Sequence, residues 1–211
     1  MVVYDVKIRN ANSADLDAIM QVEKEAWPIE ARASRSKFRE RLMVFPPGVF
    51  VAVLNNEVVG VTTSQIIMYD PKNPPNSWTE ATNDGNISGT HNQGGNAIYV
   101  VSLGVSPRGR PGKKGIGVGT ALLERQKQLA KELEKECLVL SARVPGYNSF
   151  CENKGNVPIQ DYVNYRREDG LPEYMELRFY ERAGFKQVKI CPNTMDDVES
   201  RNYGVMVEWK A

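Results

Sequence analysis

Between Ser106 and Lys114 the chain carries four positive charges, at Arg108, Arg110, Lys113 and Lys114, and no negative one. Glycines follow at 115, 117 and 119, and Thr120 comes next. Upstream, Ile98 to Val105 is rich in β-branched residues and reads as a largely buried strand. Downstream, Val118, Ala121, Leu122, Leu129 and Leu133 recur at helical spacing, so a helix opens within the glycines. The first turn of a helix has backbone N–H groups without partners and a partial positive charge. Glycines let an anion approach those groups and neighbouring cations attract it, so the chemistry on offer is the holding of a phosphorylated ligand. A tight turn beside a solvated basic face is the plain alternative. A Walker loop fails, because Thr120 and Ala121 stand where a lysine must follow Gly119. A dinucleotide fingerprint fits weakly: the third glycine comes one place early, though Arg143 after the next strand would suit a 2′-phosphate.

A third pattern fits better. Lys114-Gly115-Ile116-Gly117-Val118-Gly119-Thr120-Ala121-Leu122-Leu123 resembles the Arg/Gln-x-x-Gly-x-Gly/Ala motif of the GNAT superfamily of acyl-CoA-dependent N-acyltransferases. Leu103-Gly104-Val105-Ser106-Pro107 is similar to the Leu-x-Val-x-Pro strand end of that family. Leu177-Arg178-Phe179-Tyr180-Glu181-Arg182-Ala183-Gly184-Phe185, about 60 residues beyond the glycines, resembles its Phe-Tyr-Glu-Lys-x-Gly-Phe segment.

The resemblance implies acetyl-CoA as cosubstrate, no metal, and a small-molecule or peptide amine as acceptor. The diphosphate would rest on the N–H groups of Gly115, Gly117, Gly119 and Thr120, with Arg110, Lys113 or Lys114 nearby. Pantetheine would lie as an extra strand beside Leu103, Gly104 and Val105, where two parallel strands splay apart and Gly104 permits close approach. A main-chain N–H of Leu103 or Val105 would hold the oxyanion, and Tyr180 would give the leaving thiolate its proton. No base is singled out; a carboxylate acting through water suffices for an amine of pKa near 10. Two rivals stay open: an acyl-CoA-binding sensor or accessory module without turnover, and a nucleotide-binding oxidoreductase.

These residues need elements to position them. The resemblance implies a mixed, mostly antiparallel α/β (α+β) sheet with one splayed parallel pair, flanked by about four helices. The length of 211 residues fits one domain, 1–211, with insertions at about 69–96 and 143–172. Val2 to Arg9 alternates as a first strand; Ser13 is placed to cap a helix carrying Leu16, Ile19, Met20 and Ala26; a second helix is expected over 36–44. The resemblance implies that this pair, with the turn between them, forms one wall of the acceptor site, which makes Glu23, Glu25, Trp27, Glu30 and Arg32 candidate contacts. A hairpin is expected over 50–68, then an aperiodic stretch from 69 to 96 that suits a lid. His91, the single histidine, lies in it as a candidate base or a plain loop residue. Cys137 to Ala142 reads as the strand parallel to 98–105. The next stretch includes Val144-Pro145-Gly146-Tyr147 and resembles insertions in acyltransferase-like domains that accompany carbon–nitrogen hydrolases. It displaces an asparagine common in relatives, leaving Asn148 and Asn153 as replacements. A last helix over 173–183, with Gly184 as left-handed cap, precedes strands over 185–190 and 203–209.

Composition adds limits. Lys+Arg number 27 against 26 Asp+Glu, a net charge of +1 that favours neither nucleic acid nor membrane surface as partner. There is no bilayer-length apolar run and no signal-peptide pattern, so the expected location is cytoplasmic. Three scattered cysteines, Cys137, Cys151 and Cys191, suit reduced thiols and no metal pattern. The resemblance leaves a homodimer open.

Overall fold

A computed structural model describes residues 5–110 and 117–211. Strands are β1 (Val6–Asn10), β2 (Val49–Leu54), β3 (Glu57–Ile67), β4 (Ala97–Val105), β5 (Cys137–Arg143), β6 (Lys186–Cys191) and β7 (Gly204–Lys210). Helices are α1 (Leu16–Ala26), α2 (Arg35–Val44), α3 (Trp78–Thr82), α4 (Val118–Glu132), α5 (Tyr147–Lys154), α6 (Ile159–Asn164) and α7 (Met175–Arg182). The strands form one sheet in the order β1-β2-β3-β4-β5-β7-β6. Every pairing is antiparallel except β4 with β5. This is the expected mixed sheet. Helices α1, α2, α4 and α7 are the expected four; α3, α5 and α6 are short additions inside the two expected insertions.

Period-2 alternation explains why β2 reads as apolar throughout. Phe50, Ala52 and Leu54 join the main core, which includes Leu122 and Leu129 of α4, while Val49 and Val51 join a second core with Ile19 and Val22 of α1 and Phe38 of α2. Asn55 and Asn56, both at positive φ (50° and 65°), turn β2 into β3, as a two-residue hairpin requires. The first helical turn is capped by Asn12, not Ser13: its side chain accepts from the Ala14 N–H, and Asp15 reaches back to the Asn12 N–H. Helix α2 is capped by Ser34, whose hydroxyl accepts from the Lys37 N–H.

The expected lid is a packed wall. Within 69–96, Tyr69, Ala81 and Ile87 are core residues, and the Trp78 indole donates to the Val101 carbonyl at 2.8 Å. Turn-rich composition hid this because the segment is held by scattered polar contacts, not by a periodic apolar face. The 143–172 insertion is likewise built: Tyr162 stacks on Tyr174 at 3.5 Å between ring centroids, with Phe150 edge-on and Tyr147 tilted against Tyr162. Among the described residues, no helix is long and apolar enough to cross a membrane.

Candidate active site

β4 and β5 pair over three residues each, Ala97–Tyr99 with Cys137–Val139, and then part. Their separation opens a cavity of about 860 Å³ whose walls include Val100 to Gly104 on one side and Leu140, Ser141 and Arg143 on the other. The parting begins at a bulge. Thr63 pairs with Ser102 but Ser64 with Val100, so Val101 is an extra residue in β4, and its carbonyl goes to Trp78 instead of the ladder.

Leu103, Gly104 and Val105 therefore run along an edge of β4 that β5 leaves uncovered. A Cβ on Gly104 would stand 2.8 Å from Trp27 Nε1 and 3.3 Å from Ala26 Cβ, so the close approach at this glycine is made by the end of α1. Trp27 Nε1 is buried and has no hydrogen-bond partner among the described residues. An indole N–H left unpaired on a cavity wall is a donor awaiting an oxygen.

Arg143 sits 5.4 Å from the Trp27 ring and is committed elsewhere. It donates to both oxygens of Asp197 at 2.7 and 2.6 Å and to Glu199 at 2.9 Å, which removes it as a ligand for a 2′-phosphate. Burial alone would raise the Asp197 carboxyl; hydrogen bonds from Arg143 and Ser200 hold it below its usual value.

Tyr180 lines the cavity from α7 together with Glu176, one turn earlier. Burial pushes its phenol well above the ordinary value and Glu176 adds to this, so it carries its proton at neutral pH. Gly184, at φ 83°, ends α7, and the Phe185 N–H returns to the Tyr180 carbonyl at 3.0 Å.

At the start of α4, Gly117 is left-handed with φ 80°, and a Cβ there would meet nothing within 4 Å among the described residues. Gly119 faces inward, where a Cβ would come 3.7 Å from the Phe179 ring, an ordinary packing distance. Thr120 is exposed and Arg110 lines the cavity. Lys113, Lys114 and Gly115 lie outside the described residues. Arg108, the remaining cation of that loop, pairs with Glu25 and Glu57.

Of the five expected acceptor contacts, Glu23, Trp27, Glu30 and Arg32 line the cavity. Glu25 is instead bound to Ser106 and Arg108. Glu23 is 2% exposed; one carboxyl oxygen accepts the Ala33 N–H at 2.7 Å and the other has no partner among the described residues. Burial raises its pKa to about 7, against the pull of the Ala33 N–H, Arg41 and Arg32. His91 is not a base here: its Nδ1 accepts the Ile66 N–H at 3.2 Å, its ring lies on Phe45, and burial lowers its pKa. Asn148 bonds Glu152 and Arg201 and Asn153 bonds Ser149; the asparagines on the cavity wall are Asn193 and Asn202. Sequence reasoning missed Arg41, Trp78 and Ser102, all of which line the cavity. For Arg41 there was one signal, a charge three residues after Phe38 on the apolar face of α2. Among the described residues no group of three or more His, Cys, Asp or Glu is arranged to hold a metal ion.

This sheet, split between its parallel strands with a glycine-started helix behind the split, is the GNAT arrangement. No family model matches the chain. An uncharacterized N-acetyltransferase of Bacillus subtilis, YkwB, is 29% identical over 208 residues, 96% of this chain and 88% of that protein. The probable hydrolase YhcX of the same organism is 29% identical over 203 residues; 96% of this chain covers 38% of that longer protein. Among solved structures, the loading GNATL domain of CurA from Lyngbya majuscula matches with a TM-score of 0.83 and 22% identity, each chain covered to 98%. The GNAT-like decarboxylase GphF, in complex with isobutyryl-CoA, matches with a TM-score of 0.79 and 27% identity over 97% of this chain and 98% of that one. The chain has the GNAT fold and is similar along nearly its whole length to an N-acetyltransferase of that kind.

Proposed function

We propose that the protein is an acyltransferase that takes an acetyl group from acetyl-CoA and delivers it to a primary amine by direct attack in a ternary complex. The observation that carries this reading is the cavity at the β4–β5 split, which brings an uncovered strand edge, the unpaired indole N–H of Trp27 and the protonated phenol of Tyr180 to one space. The residues present suit a CoA thioester. Leu103 and Val105 offer backbone partners to a pantetheine chain, and Gly117, where a Cβ would meet none of the described residues within 4 Å, and Thr120 offer N–H groups to its diphosphate. Arg110 supplies positive charge; Lys113, Lys114 and Gly115 remain proposed from the motif alone. When bound, the thioester supplies an electrophilic carbonyl.

The work of this chain is then electrostatic. The Trp27 N–H, with a main-chain N–H of Leu103 or Val105, holds the negative charge that develops on the carbonyl oxygen; such a donor typically contributes about 3 kcal/mol. Tyr180 gives its proton to the departing sulfur.

Thermal shifts with acetyl-CoA, CoA, NADP and ATP test the ligand class, since a ligand at 100 times its dissociation constant adds about 2.7 kcal/mol of stability. Stabilisation by NADP and not by CoA would point to a nucleotide-binding oxidoreductase and overturn the reading. A thiol-release screen over amines, polyamines and peptides then tests turnover. CoA binding with no release on any amine would leave an acyl-CoA-binding module.

A further inference from the structure

A basic and an acidic side chain on the wall of this cavity do not meet each other. Arg41, on α2, is 1% exposed, and all its hydrogen bonds go to neutral oxygens. Its Nε and Nη2 donate to the Gly85 carbonyl at 3.1 and 3.0 Å. Its Nη1 donates to the hydroxyls of Thr63 and Ser102, both at 3.3 Å, the long end for such bonds. No carboxylate among the described residues lies within ion-pair distance of it. Glu40 and Asp84 act on it only from a distance; Glu40 accepts the Ser88 N–H, and Asp84 pairs with Lys37 at 2.9 Å. Across the cavity wall stands Glu23, its second oxygen unpartnered, near enough to feel Arg41 and Arg32 but bonded to neither. A guanidinium stays charged at working pH, and a buried charge with only neutral partners favours a counter-ion.

We infer that Arg41 and Ser102 form a carboxylate subsite on the cavity wall that Glu23 also lines, with the second oxygen of Glu23 available to accept an ammonium group. Ser102 is the half-buried member, 2.9 Å from the Thr63 hydroxyl, and it presents the subsite to the cavity. A carboxylate there takes one bond from the Ser102 hydroxyl and one from Arg41, both strengthened by charge. This inference rests on the acyltransferase reading, because it shares the cavity with the thioester. Two ligands bring a carboxylate to that place. One is an acceptor of the α-amino acid class, whose ammonium group fills the free Glu23 oxygen. The other is a dicarboxylic acyl thioester, which brings the carboxylate on its acyl chain.

Calorimetry on the full chain separates these. One arm compares malonyl-CoA and succinyl-CoA with acetyl-CoA. The other compares glycine and alanine with methylamine and ethylamine in the presence of CoA. The expected result is a preference of about tenfold or more for the carboxylated ligand in one arm, reduced to about twofold by Ser102→Ala and by Arg41→Lys. A preference among thioesters assigns the carboxylate to the acyl chain, and one among amines assigns it to the acceptor. Equal affinity for carboxylated and neutral ligands in both arms, or a preference that survives both substitutions, overturns the subsite. A chain that binds no thioester at all overturns the acyltransferase reading instead, so the two failures are distinct.

Discussion

Tyr180 and Trp27 divide the proposed chemistry into a proton to give and a charge to hold, and each has a substitution that removes one function while keeping the ring. Tyr180→Phe is expected to lower kcat about 10² to 10⁴-fold with acetyl-CoA affinity unchanged, as stopped-flow turnover and calorimetry would show. Trp27→Phe should cost about 10² in kcat through the lost N–H. An unaltered rate in either variant removes that residue from the mechanism. Glu23 gives a pH prediction. Its pKa rises from 4.5 to about 7 on folding, so between those values the native state holds a proton that the unfolded chain has released. Its contribution is fully present below pH 4.5 and is lost as pH rises through 7, a change of about 3 kcal/mol at most. Glu23→Gln should flatten the urea-unfolding profile across that interval; a profile as steep as the wild type would show that the acid is not buried as described. The sequence made Tyr180, Trp27 and Glu23 candidates through motif and position. It was silent on Arg41 and Ser102, whose chemistry comes from which partners surround them, and those partners lie 22 and 61 residues from Arg41 along the chain.

At the scale of elements, β4 and the start of α4 carry the site. Gly117→Ala adds a methyl group that meets none of the described residues, so the expected effect is that of the left-handed backbone, about 1 kcal/mol by thermal unfolding. If Gly117 also lies against a diphosphate, CoA affinity falls with it; acetyl-CoA titration of the variant reads that directly. Gly104→Ala is a contrasting case, since its Cβ would collide with the Trp27 indole and displace the proposed donor. β4, its parallel partner β5 and the helix between them were legible because apolar periodicity and glycine placement are local signals. The bulge at Val101 was not, because it is a mismatch of register with β3 and exists only once the strands pair. The 69–96 wall is not legible in the sequence for the same reason: Trp78 and Gly85 are ordered by Val101 and Arg41, which are far away in sequence.

At the scale of the molecule, the Arg143–Asp197 pair joins the end of β5 to the segment between β6 and β7 and so closes one side of the cavity. The Asp197 side chain is fully buried, and its pKa is held down by its partners. Asp197→Asn should therefore destabilise the fold by about 3 kcal/mol in urea titration, by leaving a half-buried guanidinium short of charge. A change near zero would show that Glu199 alone satisfies Arg143. The sequence by itself carried the resemblance to the GNAT superfamily, which implied the mixed sheet, and it carried the glycine-started helix, because motif spacing and hydrophobic period are properties of short stretches. Only the tertiary structure decided which charges are spent on one another and which face the cavity. Arg143, Arg108 and Glu25 are paired by the fold, while Arg41, Glu23 and Trp27 are left with capacity to spare. Pairing depends on distances between segments that no stretch of sequence contains.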